Sequence, residues 1–78
     1  MRSILIAEAV KQWRKVRGLS QRALAERAGV GYVNIARLEL GQTDPRLSTL
    51  QRLAEALGIR LVDLFEGPKR PARKRAGR

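Results

Sequence analysis

The chain contains no cysteine and no histidine. Without cysteine no disulfide can staple a small fold, which suits a reducing compartment. With both residues missing, a zinc site lacks its usual sulfur and nitrogen ligands. Aromatic residues are nearly as scarce, one each of Trp13, Tyr32 and Phe65. That leaves few platforms for the base stacking on which single-stranded RNA recognition depends, and Trp13 is expected to be buried. The acids Glu8, Glu26, Glu39, Asp44, Glu55, Asp63 and Glu66 are spread without metal-ligand spacing. No glycine-rich loop is set to cradle a phosphate. An enzyme is therefore not expected, and no catalytic residue, metal or cofactor is assigned. The N-terminal stretch Ser3-Ile4-Leu5-Ile6-Ala7 is too short for a membrane span or a signal core and soon meets charge. A soluble, cytoplasmic protein with no membrane partner is the expectation.

What the sequence has in excess is positive charge. Lys and Arg number 17 against 7 Asp and Glu, a net +10 over 78 residues. Six of the cations (Lys69, Arg70, Arg73, Lys74, Arg75 and Arg78) follow Gly67 with no acid among them, which leaves +4 on the remainder. Both parts attract a polyanion. Read more plainly, the surplus charge aids solubility. The length supports one domain, placed at residues 1–67, followed by a basic tail at 68–78 too poor in apolar residues to order itself.

Glycines punctuate the first part. Gly18, Gly29, Gly41, Gly58 and Gly67 each close an apolar-periodic segment, and no segment alternates as a strand would. The spacing predicts five short helices. The first, at about 4–17, carries Ile6, Val10 and Trp13 on one stripe. The second, at about 21–28, has Ser20 as its N-cap and Leu24, Ala25 and Ala28 inward. The third spans about 32–40 with Ile35 and Leu38 inward. The fourth spans about 48–57, burying Leu50, Leu53, Ala54 and Leu57. The fifth, at about 61–65, buries Leu61 and Leu64, and Pro68 stops it.

Only Gly29-Val30-Gly31 separates the second helix from the third. Two short helices joined by a three-residue turn containing glycine form a helix-turn-helix unit, with Val30 plugging between them. Any helical bundle also has short connections, so the chemistry of the third helix has to decide. At about 100° per residue, the side opposite Ile35 and Leu38 carries Val33, Arg37 and Leu40, with Tyr32 and Asn34 flanking it. Arg37 can fork onto guanine or a phosphate, Asn34 can pair with adenine, and Val33 can meet a thymine methyl. Tyr32 can donate to a phosphate or stack on a sugar. The bland reading is a solvated face, but Tyr32, Val33 and Leu40 make it apolar for one. At the start of the second helix, Gln21 can reach a phosphate and Arg22 adds charge.

Two charges lean inward. Arg14 lies four residues after Val10, and Glu39 four after Ile35. A buried charge is costly unless paired, so a partly buried Arg14–Glu39 ion pair is expected to tie the first helix to the end of the third. Alternatively both are rim charges with buried stems and solvated heads.

Here the sequence resembles the phage Cro and repressor type of helix-turn-helix domain, the Xre family. The resemblance rests on Arg14, Gly18-Leu19-Ser20-Gln21, Leu24-Ala25, Ala28-Gly29-Val30, Ile35, Leu38-Glu39, Gly41, Pro45, Leu50, Leu53-Ala54, Leu57-Gly58-Ile59, Leu61 and Leu64, in that order. It implies an all-α, compact five-helix bundle of the lambda-repressor-like type. It also implies that Gln21 opens the second helix against the DNA backbone. Tyr32, Val33 and Arg37 fall at the family's major-groove positions with Asn34 beside them, and the loop through Thr43 and Arg46 meets the next phosphates. Arg14 and Glu39 fall at the family's structural ion pair. Some positions depart from the pattern. Gly31 replaces a capping Ser or Thr, Arg46 and Arg60 replace capping residues, Leu40 replaces a polar residue, and Asp44 brings a negative charge into the loop.

The resemblance further implies paired half-sites bound by a homodimer, for which Val62 and Phe65 are candidate contacts; the alternative reading has Phe65 sealing the core. The tail can follow phosphates, enter a minor groove, or act as a flexible cation that raises non-specific affinity. The function expected is a sequence-specific double-stranded DNA-binding transcription regulator, a repressor, acting by occupying an operator. The alternative is an antitoxin or adaptor that uses the same fold mainly to bind a protein such as a toxin.

Overall fold

The structure, a computed structural model, describes residues 2–68. The expected disordered tail therefore lies outside the described residues, apart from Pro68. Five helices follow one another: α1 (Arg2–Val16), α2 (Gln21–Ala28), α3 (Tyr32–Glu39), α4 (Leu47–Leu57) and α5 (Leu61–Glu66). Among the described residues there is no strand, and the all-helical expectation holds. The boundaries differ from the periodicity reading by one or two residues. α1 starts two residues early and stops at Val16, because the Gly18 and Leu19 N–H groups turn back to the Lys15 and Arg14 carbonyls. α3 stops one residue before Leu40, α4 begins one residue early at Leu47, and α5 runs one residue further to Glu66.

Each helix supplies one fully buried side chain to a common centre: Val10, Leu24, Ile35, Leu53 and Leu64. Leu38, Leu50, Leu57 and the small Ala25 and Ala28 complete the core, with Ile6, Trp13, Leu19, Val30 and Leu61 packed against it. Truncating one of the central leucines to alanine removes about 2–5 kcal/mol. α1 packs on α3 and α5, α2 on α3 and α4, and α4 on α5. Two polar ties fix α1 and the turn that follows it to the far end of the bundle. Trp13 Nε1 donates to the Asp63 carbonyl at 2.9 Å, and Arg17 Nε donates to the Leu57 carbonyl at 2.7 Å. The latter satisfies a carbonyl that the end of α4 leaves without a helical partner.

The turn that positions α3 is built by hydrogen bonds. Ser20 caps α2, its Oγ accepting from the Ala23 N–H at 3.0 Å. At the other end Gly29 adopts φ +69°, a left-handed conformation that costs a residue with a Cβ about 1–2 kcal/mol. That rotation lets the Val30 N–H reach the Ala25 carbonyl at 3.0 Å while the Gly29 N–H meets Glu26 at 3.3 Å. This is the paired closure of a Schellman motif. Val30 then drops against the core, and Gly31 extends (φ −63°, ψ 142°) to start α3 with no side-chain cap.

Candidate nucleic-acid interface

α3 is anchored at its back. Ile35 and Leu38 are buried, and so is Glu39, 6% exposed. The Glu39 carboxylate accepts from Arg14 Nε at 2.7 Å on Oε2 and from Arg14 Nη2 at 3.0 Å on Oε1. This bidentate geometry is the strong form of a carboxylate–guanidinium pair. Arg14 Nη1 also donates to the Leu19 carbonyl at 2.9 Å, which ties the α1–α2 turn into the same knot. Gln21 Nε2 is a further donor to Glu39 Oε1, at 3.0 Å. A carboxylate this well supplied with donors can be buried without an unmet charge.

The front of α3 faces solvent. Tyr32 is 40% exposed, Val33 56% and Leu40 71%, and Asn34 and Arg37 are exposed as well. Arg22, on the first turn of α2, extends its guanidinium over the Tyr32 ring, 4.5 Å from the centroid. Asn34 shares a cleft of about 390 Å³ with Thr43, Asp44, Pro45 and Arg46, floored by Val30, Ile35 and Leu38. The face thus offers an apolar patch, a planar amide, an aromatic hydroxyl and several guanidinium groups within one helix-and-loop unit. Those are the chemistries that meet base edges and phosphates.

The DNA-contact residues picked from sequence, Gln21 apart, fall into three groups. Arg22 and Tyr32 are stacked. Asn34, Thr43 and Arg46 line one cleft. Val33 and Arg37 stand on the open face of α3. Gln21 differs from a solvated first-turn residue, because it is half-buried and one of its amide hydrogens is directed at Glu39. Sequence reasoning passed over Arg52 of α4, whose Nη1 donates to the Gly29 carbonyl at 3.2 Å and brings another cation to the helix-turn-helix elbow. An exposed arginine on the polar side of an amphipathic helix carries no periodic signal, so only the packing of α4 on α2 reveals it.

The comparisons with known proteins agree with this fold. A family model described as "HTH_3: Helix-turn-helix" matches residues 10–64. The chain is 38% identical over 58 residues to the HTH-type transcriptional regulator PuuR of Escherichia coli, covering 74% of this chain and 31% of PuuR. It is 41% identical over 63 residues to antitoxin HigA1 of Mycobacterium tuberculosis, covering 81% of this chain and 42% of HigA1. It thus spans less than half the length of these curated relatives. Its fold is similar to the restriction-modification controller protein C.AhdI of Aeromonas hydrophila, with a TM-score of 0.79 and 30% identity over 81% of this chain and 96% of that one.

Proposed function

The chain belongs to the HTH_3 helix-turn-helix family, and on that premise we propose that it binds double-stranded DNA as a sequence-specific transcription regulator, repressing by occupying its operator. The observation that carries this reading is the two-sidedness of α3. Its back is locked through Glu39 to Arg14 while Val33 and Arg37 stand clear on its front. Such a helix can enter a major groove without refolding.

In this reading Arg37 contacts guanine or a phosphate, Asn34 an adenine edge and Val33 a thymine methyl. Gln21, with a second amide hydrogen beyond the one on Glu39, and the loop residues Thr43 and Arg46 hold phosphates. The net +10 supplies the sequence-independent part of the affinity. Two copies bind paired half-sites through Val62 and Phe65 of α5, which are 46% and 50% exposed. No catalytic role is assigned, and the protein works in the compartment that holds the DNA, the cytoplasm.

The likeness to antitoxin HigA1 favours a second reading, in which the same fold also holds a protein partner such as a toxin. Selection from random duplex DNA separates the two. A palindromic consensus lost on Arg37→Ala is the result expected of a regulator. A chain that enriches no sequence, and co-purifies with a protein partner instead, would overturn that reading.

A further inference from the structure

Arg22 and Tyr32 belong to different helices, yet they form one unit. Arg22 is the second residue of α2, where a cation opposes the helix dipole, and α2 has no acid in its first turn to offset it. Its position therefore does not serve α2. Across the Gly29–Gly31 turn, Tyr32 is the first residue of α3, whose N-cap Gly31 offers no side-chain hydrogen bond. The start of α3 is thus the end of that helix with no side-chain anchor, whereas its other end is fixed by Glu39 and Arg14. Over this uncapped end lies the Arg22 guanidinium, 4.5 Å from the ring centroid and well within cation–π range. Both side chains are exposed, so the stack is not a by-product of burial.

We propose that Arg22 is a positioning residue for base readout: by holding the Tyr32 ring against α2, it fixes the N-terminal end of α3 in the groove and so sets sequence preference, beyond any charge it offers to a phosphate. A guanidinium stacks through its face and a lysine ammonium has none, so Arg22→Lys keeps the charge and loses the plane. A phosphate contact weakens binding to all sequences alike, whereas a misplaced reading helix weakens binding to the correct sequence selectively. The inference rests on the DNA-binding reading given above.

The test measures affinity for a duplex selected by the wild-type chain and for a scrambled duplex, and takes their ratio. Tyr32→Leu is expected to lower the ratio by about 2- to 5-fold, the worth of an exposed cation–π contact, and Arg22→Lys, whose ammonium can sit over the ring but not stack on it, by about 2-fold. The double variant should be no worse than either alone. In the free protein, the ring resonances of Tyr32, the chain's single tyrosine, should shift in Arg22→Lys, a readout independent of DNA. If Arg22→Lys leaves the ratio unchanged, or the two substitutions add, Arg22 is only a phosphate contact and the inference is overturned while DNA reading stands. A wild-type chain with no preference for any duplex overturns both together. Tyr32 resonances unmoved by Arg22→Lys would refute the stack whatever the DNA result.

Discussion

The Gln21 amide, at the first position of α2, donates to the carboxylate that closes α3, Nε2 to Glu39 Oε1 at 3.0 Å. Glu39 is in turn gripped by Arg14 from α1. Three helices therefore meet on one buried carboxylate, and the angle between α2 and α3 depends on it. The knot links a candidate phosphate contact to the helix proposed to read bases, so a change at either place is felt at the other.

Removing Glu39 should be the most damaging single polar substitution. The pair is 13% and 3% exposed by side chain, so Glu39→Ala leaves a guanidinium and an amide short of their acceptor. The expected loss is about 2–4 kcal/mol, slightly under the value for a fully buried pair. Urea denaturation followed by circular dichroism measures it. The double variant Arg14→Met, Glu39→Leu should recover much of the stability, because apolar groups of similar volume replace a buried pair at little cost. A Glu39→Ala protein as stable as wild type would show that the knot contributes nothing.

Much of this arrangement was legible in the sequence, for identifiable reasons. Arg14 and Glu39 each follow a core residue by four positions, and a charge on an inward stripe demands a partner. The core leucines were legible because helical period and glycine stops agree with one another. The third donor, Gln21, was not, because a polar residue at a helix start looks the same whether it faces water or a carboxylate. Arg22 over Tyr32 and Arg52 on Gly29 depend on how helices cross, which no local spacing encodes. Arg60 reads from sequence as a missing cap. Yet the Asp63 carboxylate accepts from the Arg60 N–H at 3.0 Å, so the third residue of α5 makes the reciprocal half of a capping box although the N-cap side chain makes none.

Arg37 and Val33 should separate affinity from fold. Both are exposed on the front of α3, so their alanine variants should unfold at the wild-type urea concentration within error. Binding to a selected duplex should fall by about 1–3 kcal/mol for Arg37→Ala and by less for Val33→Ala. Equilibrium titration by fluorescence anisotropy reads this directly. Undiminished binding by Arg37→Ala would remove α3 as the reading element.

Arg46 should show itself in salt dependence. It is exposed at the cleft that also holds Thr43 and Asn34. A phosphate contact releases counterions, so Arg46→Ala should lower the slope of log K against log salt concentration by about 1 and weaken selected and scrambled duplexes equally. An unchanged slope would place the loop off the DNA.

Asp63 gives a pH signature at α5. Its side-chain hydrogen bonds with Arg60, from Nε at 3.1 Å and Nη2 at 2.9 Å, hold its carboxyl below the usual range, and the Arg60 backbone N–H adds to this. The native form therefore binds its proton less readily than the unfolded chain, where an Asp titrates near about 3.9. The stabilisation linked to it is fully present above that value and is lost as pH falls through the lower native midpoint. Following the Asp63 carboxyl carbon by NMR from pH 6 downwards should give a midpoint under 3.9. Arg60→Ala should raise it only part of the way, since the backbone donor remains. A midpoint at or above the unfolded value would mean that Arg60 and Asp63 do not pair in solution, and that α5 begins without its carboxylate cap.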